Sequence, residues 1–120
     1  MKNRIHSFKA ALNGVLVAYK SEWNLKFHFI AAVTSIALAF YVDLNSVEFS
    51  IILMCIALVI SMELFNTGIE YLCDFIHPEK HESIKKIKDV SAAAVLFSSV
   101  ISFVVGCILF LPKIAHKIHW

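Results

Sequence analysis

Glycine is scarce in this 120-residue chain, with three residues at Gly14, Gly68 and Gly106. They cannot build G-x-x-x-x-G-K-[ST] or G-x-G-x-x-G, which excludes the phosphate-cradling loops of the soluble nucleotide-binding classes. Cysteine is equally sparse. Cys55, Cys73 and Cys107 form no CxxC, and two of them lie in apolar runs, so small buried thiols are expected rather than zinc ligands or a disulfide. His77 and His81 are four apart and His116 and His119 three apart, but neither pair has further soft ligands beside it. Residues 1–26 hold no apolar core of the kind a secretory signal needs. No repeat, low-complexity stretch or composition boundary divides the chain, so one domain over residues 1–120 is expected.

Charge is missing from long stretches. Apolar residues make up 59% of the chain and its mean hydropathy is +0.75. A chain this short cannot hide that much apolar surface in a soluble core, which makes a bilayer its solvent. Residues 90–111 are 22 in a row without a charge, enough to cross a hydrocarbon layer about 30 Å thick. Residues 47–62 carry only Glu48, and residues 27–42 only His28 as a titratable group. The expected architecture is an all-α membrane protein with transmembrane helices over residues 27–43, 47–73 and 84–112. An amphipathic surface helix over residues 3–24 precedes them. Ile5, Phe8, Leu12, Val15, Leu16, Tyr19 and Trp23 recur there at helical spacing against Lys2, His6, Lys9, Asn13 and Lys20. That pattern fits a helix in the membrane interface or one packed on its own bundle. Trp23 and Trp120 are expected near interfaces.

Basic residues set the orientation. Lys2, Arg4, Lys9, Lys20 and Lys26 precede the first span, and Lys80, Lys85, Lys86 and Lys88 lie between the second and third. Residues 43–48 have none, so the N-terminus and residues 75–89 are expected on the cytoplasmic side. Lys113 and Lys117 point the other way, but they are fewer and terminal.

Against this background one stretch stands out. Glu63, Asn66, Glu70 and Asp74 are spaced by three, four and four, which puts them within an arc of roughly 80° on one helix face. Stacked carboxylates repel unless something cationic sits between them, and a divalent metal with phosphate is the usual guest. Glu63 falls at or just inside the hydrocarbon boundary, where partial desolvation makes it a better base for a lipid hydroxyl. Glu70 and Asp74 lie beyond it in water. Glu22 reaches the same interface from the first span and is a candidate second ligand, since Mg²⁺ is commonly held by one or two carboxylates plus substrate phosphates. Pro78 breaks the helical pattern, and Glu82 or Ser83 restarts it. Lys88 and Asp89 then stand just before the uncharged span, where a lysine either snorkels or binds phosphate. Three classes of function stay open: a Mg²⁺-dependent lipid kinase, a transport or proton-relay subunit using the intramembrane acid, and a non-catalytic helical assembly protein.

Glu63-x-x-Asn66-Thr67-x-Ile69-Glu70-x-x-x-Asp74 is followed by Pro78-Glu79-x-His81 and by Lys88-Asp89-x-x-Ala92-Ala93-Ala94-Val95, with Ser21-Glu22-x-Asn24 upstream. Over nearly the whole chain, in order and at matching spacing, this resembles the prokaryotic diacylglycerol kinase and undecaprenol kinase family. The resemblance implies a small three-span kinase of the bacterial inner membrane, working as a homotrimer whose sites are shared between subunits. It implies transfer of the γ-phosphate of ATP to a lipid alcohol, undecaprenol or diacylglycerol. By position, Glu63 is implied as general base, and Glu22 and Glu70 as carboxylates holding the divalent metal on ATP. Glu79, Lys80 and His81 are implied as nucleotide contacts, Lys88 and Asp89 as the phosphate-binding pair, and Asn66 and Asp74 as polar supports. Ser21-Glu22-x-Asn24 with His28 looks closer to the undecaprenol branch. Gly68 stands where the family often has Ala, Asn3 where it has Arg, and Ala10 where some members have Tyr. Arg4 is one residue off that register, about 100° around a helix, and is a weak candidate for a phosphate or lipid contact.

Overall fold

The structure, a computed structural model, describes residues 2–119. Trp120 lies outside them, as do the side chains of Lys2 and His119. Four helices follow in order, α1 Lys2–Ser21, α2 Trp23–Tyr41, α3 Ser46–Ile76 and α4 Glu82–His119, with no strand among the described residues. Helices α2, α3 and α4 are long and apolar enough to cross a membrane, where only a helix or a closed barrel can satisfy every backbone polar group. At 1.5 Å per residue α2 is about 28 Å long and α3 about 46 Å. Hydrocarbon about 30 Å thick therefore accommodates α2, while α3 overshoots it by about ten residues.

Helix α1 ends at Ser21, earlier than expected, because Glu22 is extended at φ −117° and ψ 115°. The chain leaves the helical path for that one residue, with Glu22 N–H still donating to Ala18 O at 2.9 Å. The corner is tied down by a hydrogen bond between the hydroxyls of Ser21 and Tyr71 and by Tyr19 meeting Phe29 edge-on, ring centres 5.7 Å apart. Upstream of it the apolar face of α1 has no cover from its own chain. Ile5, Phe8, Leu12 and Leu16 are all more than half exposed, and Ala18 is the one buried residue among the described part of the helix. Of the two placements for α1, packing of this upstream face on its own bundle is not observed among the described residues.

The turn from α2 to α3 places Asp43 at a φ of 60°, a left-handed conformation that Asp tolerates better than most residues. Asn45 then starts α3 with a capping box: Glu48 N–H donates to Asn45 Oδ1 at 2.9 Å and Asn45 N–H to Glu48 Oε1 at 3.0 Å. Helix α4 runs on through Pro112 to reach this turn. There Lys113 Nζ lies 3.6 Å from Glu48, and Lys117 Nζ lies 3.6 Å from Asp43 and donates to Tyr41 O at 2.6 Å. The two lysines that opposed the charge asymmetry are thus paired with the acids of the opposite turn.

Packing follows a seven-residue interval on two helices. Leu25, Ala32 and Ala39 are buried on α2, and Ile52, Val59, Asn66 and Cys73 on α3. Alanine at two of the α2 positions lets the backbones approach closely, which is how helices associate where lipid removes the hydrophobic driving force. The apolar core, Ala39, Val42, Ile52 and Phe110, sits at the α2–α3 turn. The far end of the bundle is polar. Between them a cavity of about 620 Å³ opens among α2, α3 and α4, walled by Ala32, Leu38, Val59 and Phe103, with His28 on its lining. Removing the cap should be measurable: Asn45→Ala is expected to lower stability by about 1 kcal/mol in reversible unfolding of the detergent-solubilised protein, with Asn45→Ser close to wild type.

Candidate active site

On α3 the buried stripe that begins with Ile52 and Val59 continues with Glu63, Asn66 and Thr67, so polar groups occupy positions that helical periodicity reserves for core. Glu63 is 1% exposed. It lies about 26 Å along α3, at the edge of a 30 Å hydrocarbon layer, and Glu70 follows about 10 Å further on. Thr67 satisfies its own hydroxyl by donating to Glu63 O at 2.9 Å. Glu63 Oε2 and Asn66 Oδ1 have no hydrogen-bond partner although both are buried. Each such acceptor costs about 1–3 kcal/mol, and two within a turn leave bonding that a ligand, an ordered water or a neighbouring donor can complete. The facing group from α2 is His28, whose Nε2 is 3.6 Å from Glu63 Oε2.

Glu22 and Glu70 form the wet half of the site. Burial pushes the Glu22 carboxyl above its usual range, and Glu70 adds to this through its charge and a hydrogen bond between the two side chains. Both also lie within Coulombic range of Glu63. Two carboxylates held this close share a proton or a cation. No three His, Cys, Asp or Glu side chains converge among the described residues. The protein donors on offer are thus the two carboxylates of Glu22 and Glu70, oxygen ligands that would suit Mg²⁺ only with water and substrate phosphates completing its shell.

Lys88 Nζ is bonded to Asp74 Oδ1 at 2.7 Å and Lys85 Nζ to Asp89 Oδ2 at 2.6 Å. Lys88 and Asp89, adjacent in sequence and so about 100° apart on the helix, each have a separate partner. Glu79 and Lys80 are exposed in the connection between α3 and α4. His81 sits there as the N-cap of α4, its Nδ1 accepting from Ser83 N–H at 3.1 Å. Arg4 is exposed on α1, about 27 Å along that helix from the corner at Glu22. Tyr71 is a residue that sequence pattern did not single out. It lies one residue beyond Glu70 with no motif to mark it, and its contact with Ser21 needs the fold.

The prokaryotic diacylglycerol kinase family model matches residues 9–110. The chain belongs to the prokaryotic diacylglycerol kinase family. Family members similar to it include the undecaprenol kinase of Bacillus subtilis (strain 168), 38% identical over 90% of this chain and 88% of that one. The diacylglycerol kinase of Synechocystis sp. is 31% identical over 93% of this chain and 65% of its own length. That of Haemophilus influenzae is 31% identical over 88% and 91%. Membership makes the chain an ATP-dependent lipid kinase of the membrane.

The contact of Tyr71 with the residue before Glu22 makes the candidate role of Glu22 in holding metal-ATP testable. Tyr71→Phe frees the corner, and a hydrogen bond of about 1 kcal/mol is expected to appear as a KM for ATP raised about fivefold with kcat little changed. Steady-state kinetics at varied ATP check this, and an unchanged KM would separate Tyr71 from the site.

Proposed function

We propose that this protein, as a single domain over residues 1–120, transfers the γ-phosphate of ATP to the hydroxyl of undecaprenol in preference to diacylglycerol. The observation that carries the mechanism is a buried, unpartnered carboxylate oxygen on Glu63 at the membrane edge, about two turns before Glu70 of the Glu22–Glu70 pair on the same face of α3. The lipid hydroxyl meets Glu63, which takes its proton as the oxygen bonds to the γ-phosphorus. The bond from γ-phosphorus to the bridging oxygen breaks, and its electron pair leaves on ADP. Glu22 and Glu70 hold the divalent cation, Mg²⁺, which when bound neutralises charge on the phosphate oxygens. Asn66 orients the reacting groups through its free Oδ1.

Glu79, Lys80 and His81 face the nucleotide from the exposed connection, His81 with the ring nitrogen not used in capping. Lys88 and Asp89 serve the phosphates, Lys88 exchanging Asp74 for a phosphate oxygen, and Asp74 supports Lys88 between turnovers. That exchange is cheap because partly exposed ion pairs contribute only about 0–1 kcal/mol. Support for the lipid preference comes from the 38% identity to an undecaprenol kinase, spanning most of both chains. Support for the cytoplasmic placement of the site, in a bacterial inner membrane, comes from Lys20, Lys26, Lys80, Lys85, Lys86 and Lys88 near this end, with Lys113 and Lys117 neutralised at the other. The assembly is a homotrimer that covers part of the exposed surface of α4, where Ala92, Ala93 and Ala94 stand, and completes each site from a neighbour.

Offering both lipids together with labelled ATP tests the preference. Undecaprenol should carry most of the label, and equal labelling or an excess on diacylglycerol overturns it. Glu63→Gln should lower kcat by at least about a hundredfold with the helices intact, the usual size of a general-base contribution.

A further inference from the structure

Glu63 is held from α3, yet nothing on α3 holds its carboxylate. Oε2 is buried without a hydrogen-bond partner, and the backbone carbonyl of the same residue is already taken by Thr67. Its acidic neighbours, Glu22 and Glu70, repel it. One side chain from another helix is within ion-pair distance, His28, with Nε2 at 3.6 Å from Oε2. His28 is itself mostly enclosed, 15% exposed at the side chain, and it stands between Glu63 and the cavity among α2, α3 and α4. A carboxylate with a free torsion among like charges turns away from them and loses aim. An N–H donor fixed on a second helix prevents that, because α2 packs on α3 and is buried at Leu25 and Ala32 on either side of residue 28.

We infer that His28 is a positioning residue for the kinase reaction: its Nε2–H, 3.6 Å from Oε2 of Glu63 without substrate, closes onto that oxygen when substrate is bound and so leaves Oε1 aimed at the lipid hydroxyl. The inference rests on Glu63 being the base and adds to it the group that aims the base. It requires the imidazole tautomer with the proton on Nε2. It also makes the lining of the cavity among α2, α3 and α4 and the base one mechanical unit, since the same ring belongs to both. Histidine is suited to the task because it is rigid, reaches across the gap between helices, and donates without carrying a permanent charge into the membrane.

Five proteins in mixed micelles test this: wild type, His28→Phe, His28→Gln, Glu63→Gln and the double variant His28→Phe with Glu63→Gln. His28→Phe keeps the ring and removes the donor, and kcat should fall about tenfold with the KM for ATP unchanged, the size of one hydrogen bond to a charged group. His28→Gln replaces the donor at similar reach and should recover most of that loss. In the double variant the His28 change should add nothing to the loss from Glu63→Gln, because a residue acting through another is silent once the other is gone. Full activity in His28→Phe, equal loss in the Phe and Gln variants, or additive losses in the double variant would each overturn the inference. Should His28→Phe fail to fold, the Gln variant decides, with more than a tenfold loss in kcat counting against the donor role. Activity surviving in Glu63→Gln alone would instead refute Glu63 as the base, which the other variants do not address.

Discussion

A carboxyl group that is 1% exposed on a membrane helix has to be met by something, and its own fold leaves Glu63 with an unmet oxygen. The burial cost is large enough that a position like this persists only where a ligand or a donor returns the energy. Most of the far end of the bundle can be traced to that constraint. Apolar residues occupy the buried stripe of α3 down to Val59, and polar ones take over in the same positions from Glu63 onward. The apolar core is correspondingly displaced to the α2–α3 turn, where the capping box and the lysines of α4 fix the helices relative to one another. One end of the protein supplies rigidity and the other is left incomplete for substrate.

Helix length converts this into a division of tasks. Helix α3 is about 46 Å long in a layer of about 30 Å, so one face runs from hydrocarbon into water without a break. Glu63 and Glu70 are two turns apart on it, and on the proposed reading the first acts on the lipid hydroxyl at depth and the second on metal-ATP in water. The corner at Glu22 brings the second acid of the wet half, and the Ser21–Tyr71 bond keeps that corner against α3. The upper and lower parts of the site thus come from two helices held by separate contacts.

The sequence discloses what is periodic or local. Uncharged runs locate the spans, and the spacing of three, four and four locates the acidic face, because both signals depend only on residues of one helix. The amphipathic pattern of residues 3–24 identifies a helix but not what covers it, since periodicity marks an apolar face without naming its partner. Contacts between helices were out of reach. Lys113 and Lys117 look like an exception to the charge rule until the fold sets them beside Glu48 and Asp43. His28 is visible as the titratable group of an apolar run, but its closeness to Glu63 is a fact of packing. Asp74 and Lys88 carry separate labels in sequence and turn out to be bonded to each other. His81, singled out by its motif, has a capping role that only backbone geometry reveals.

The central claim is that one helical face carries two separable tasks, deprotonation at depth and metal-nucleotide binding in water. Titrating Mn²⁺-ATP into Glu63→Gln and Glu70→Gln by calorimetry tests it without chemistry. The account predicts that Glu63→Gln binds as tightly as wild type, while Glu70→Gln loses at least about tenfold in affinity, the scale of one lost charge-assisted contact. Equal weakening in both variants would contradict it.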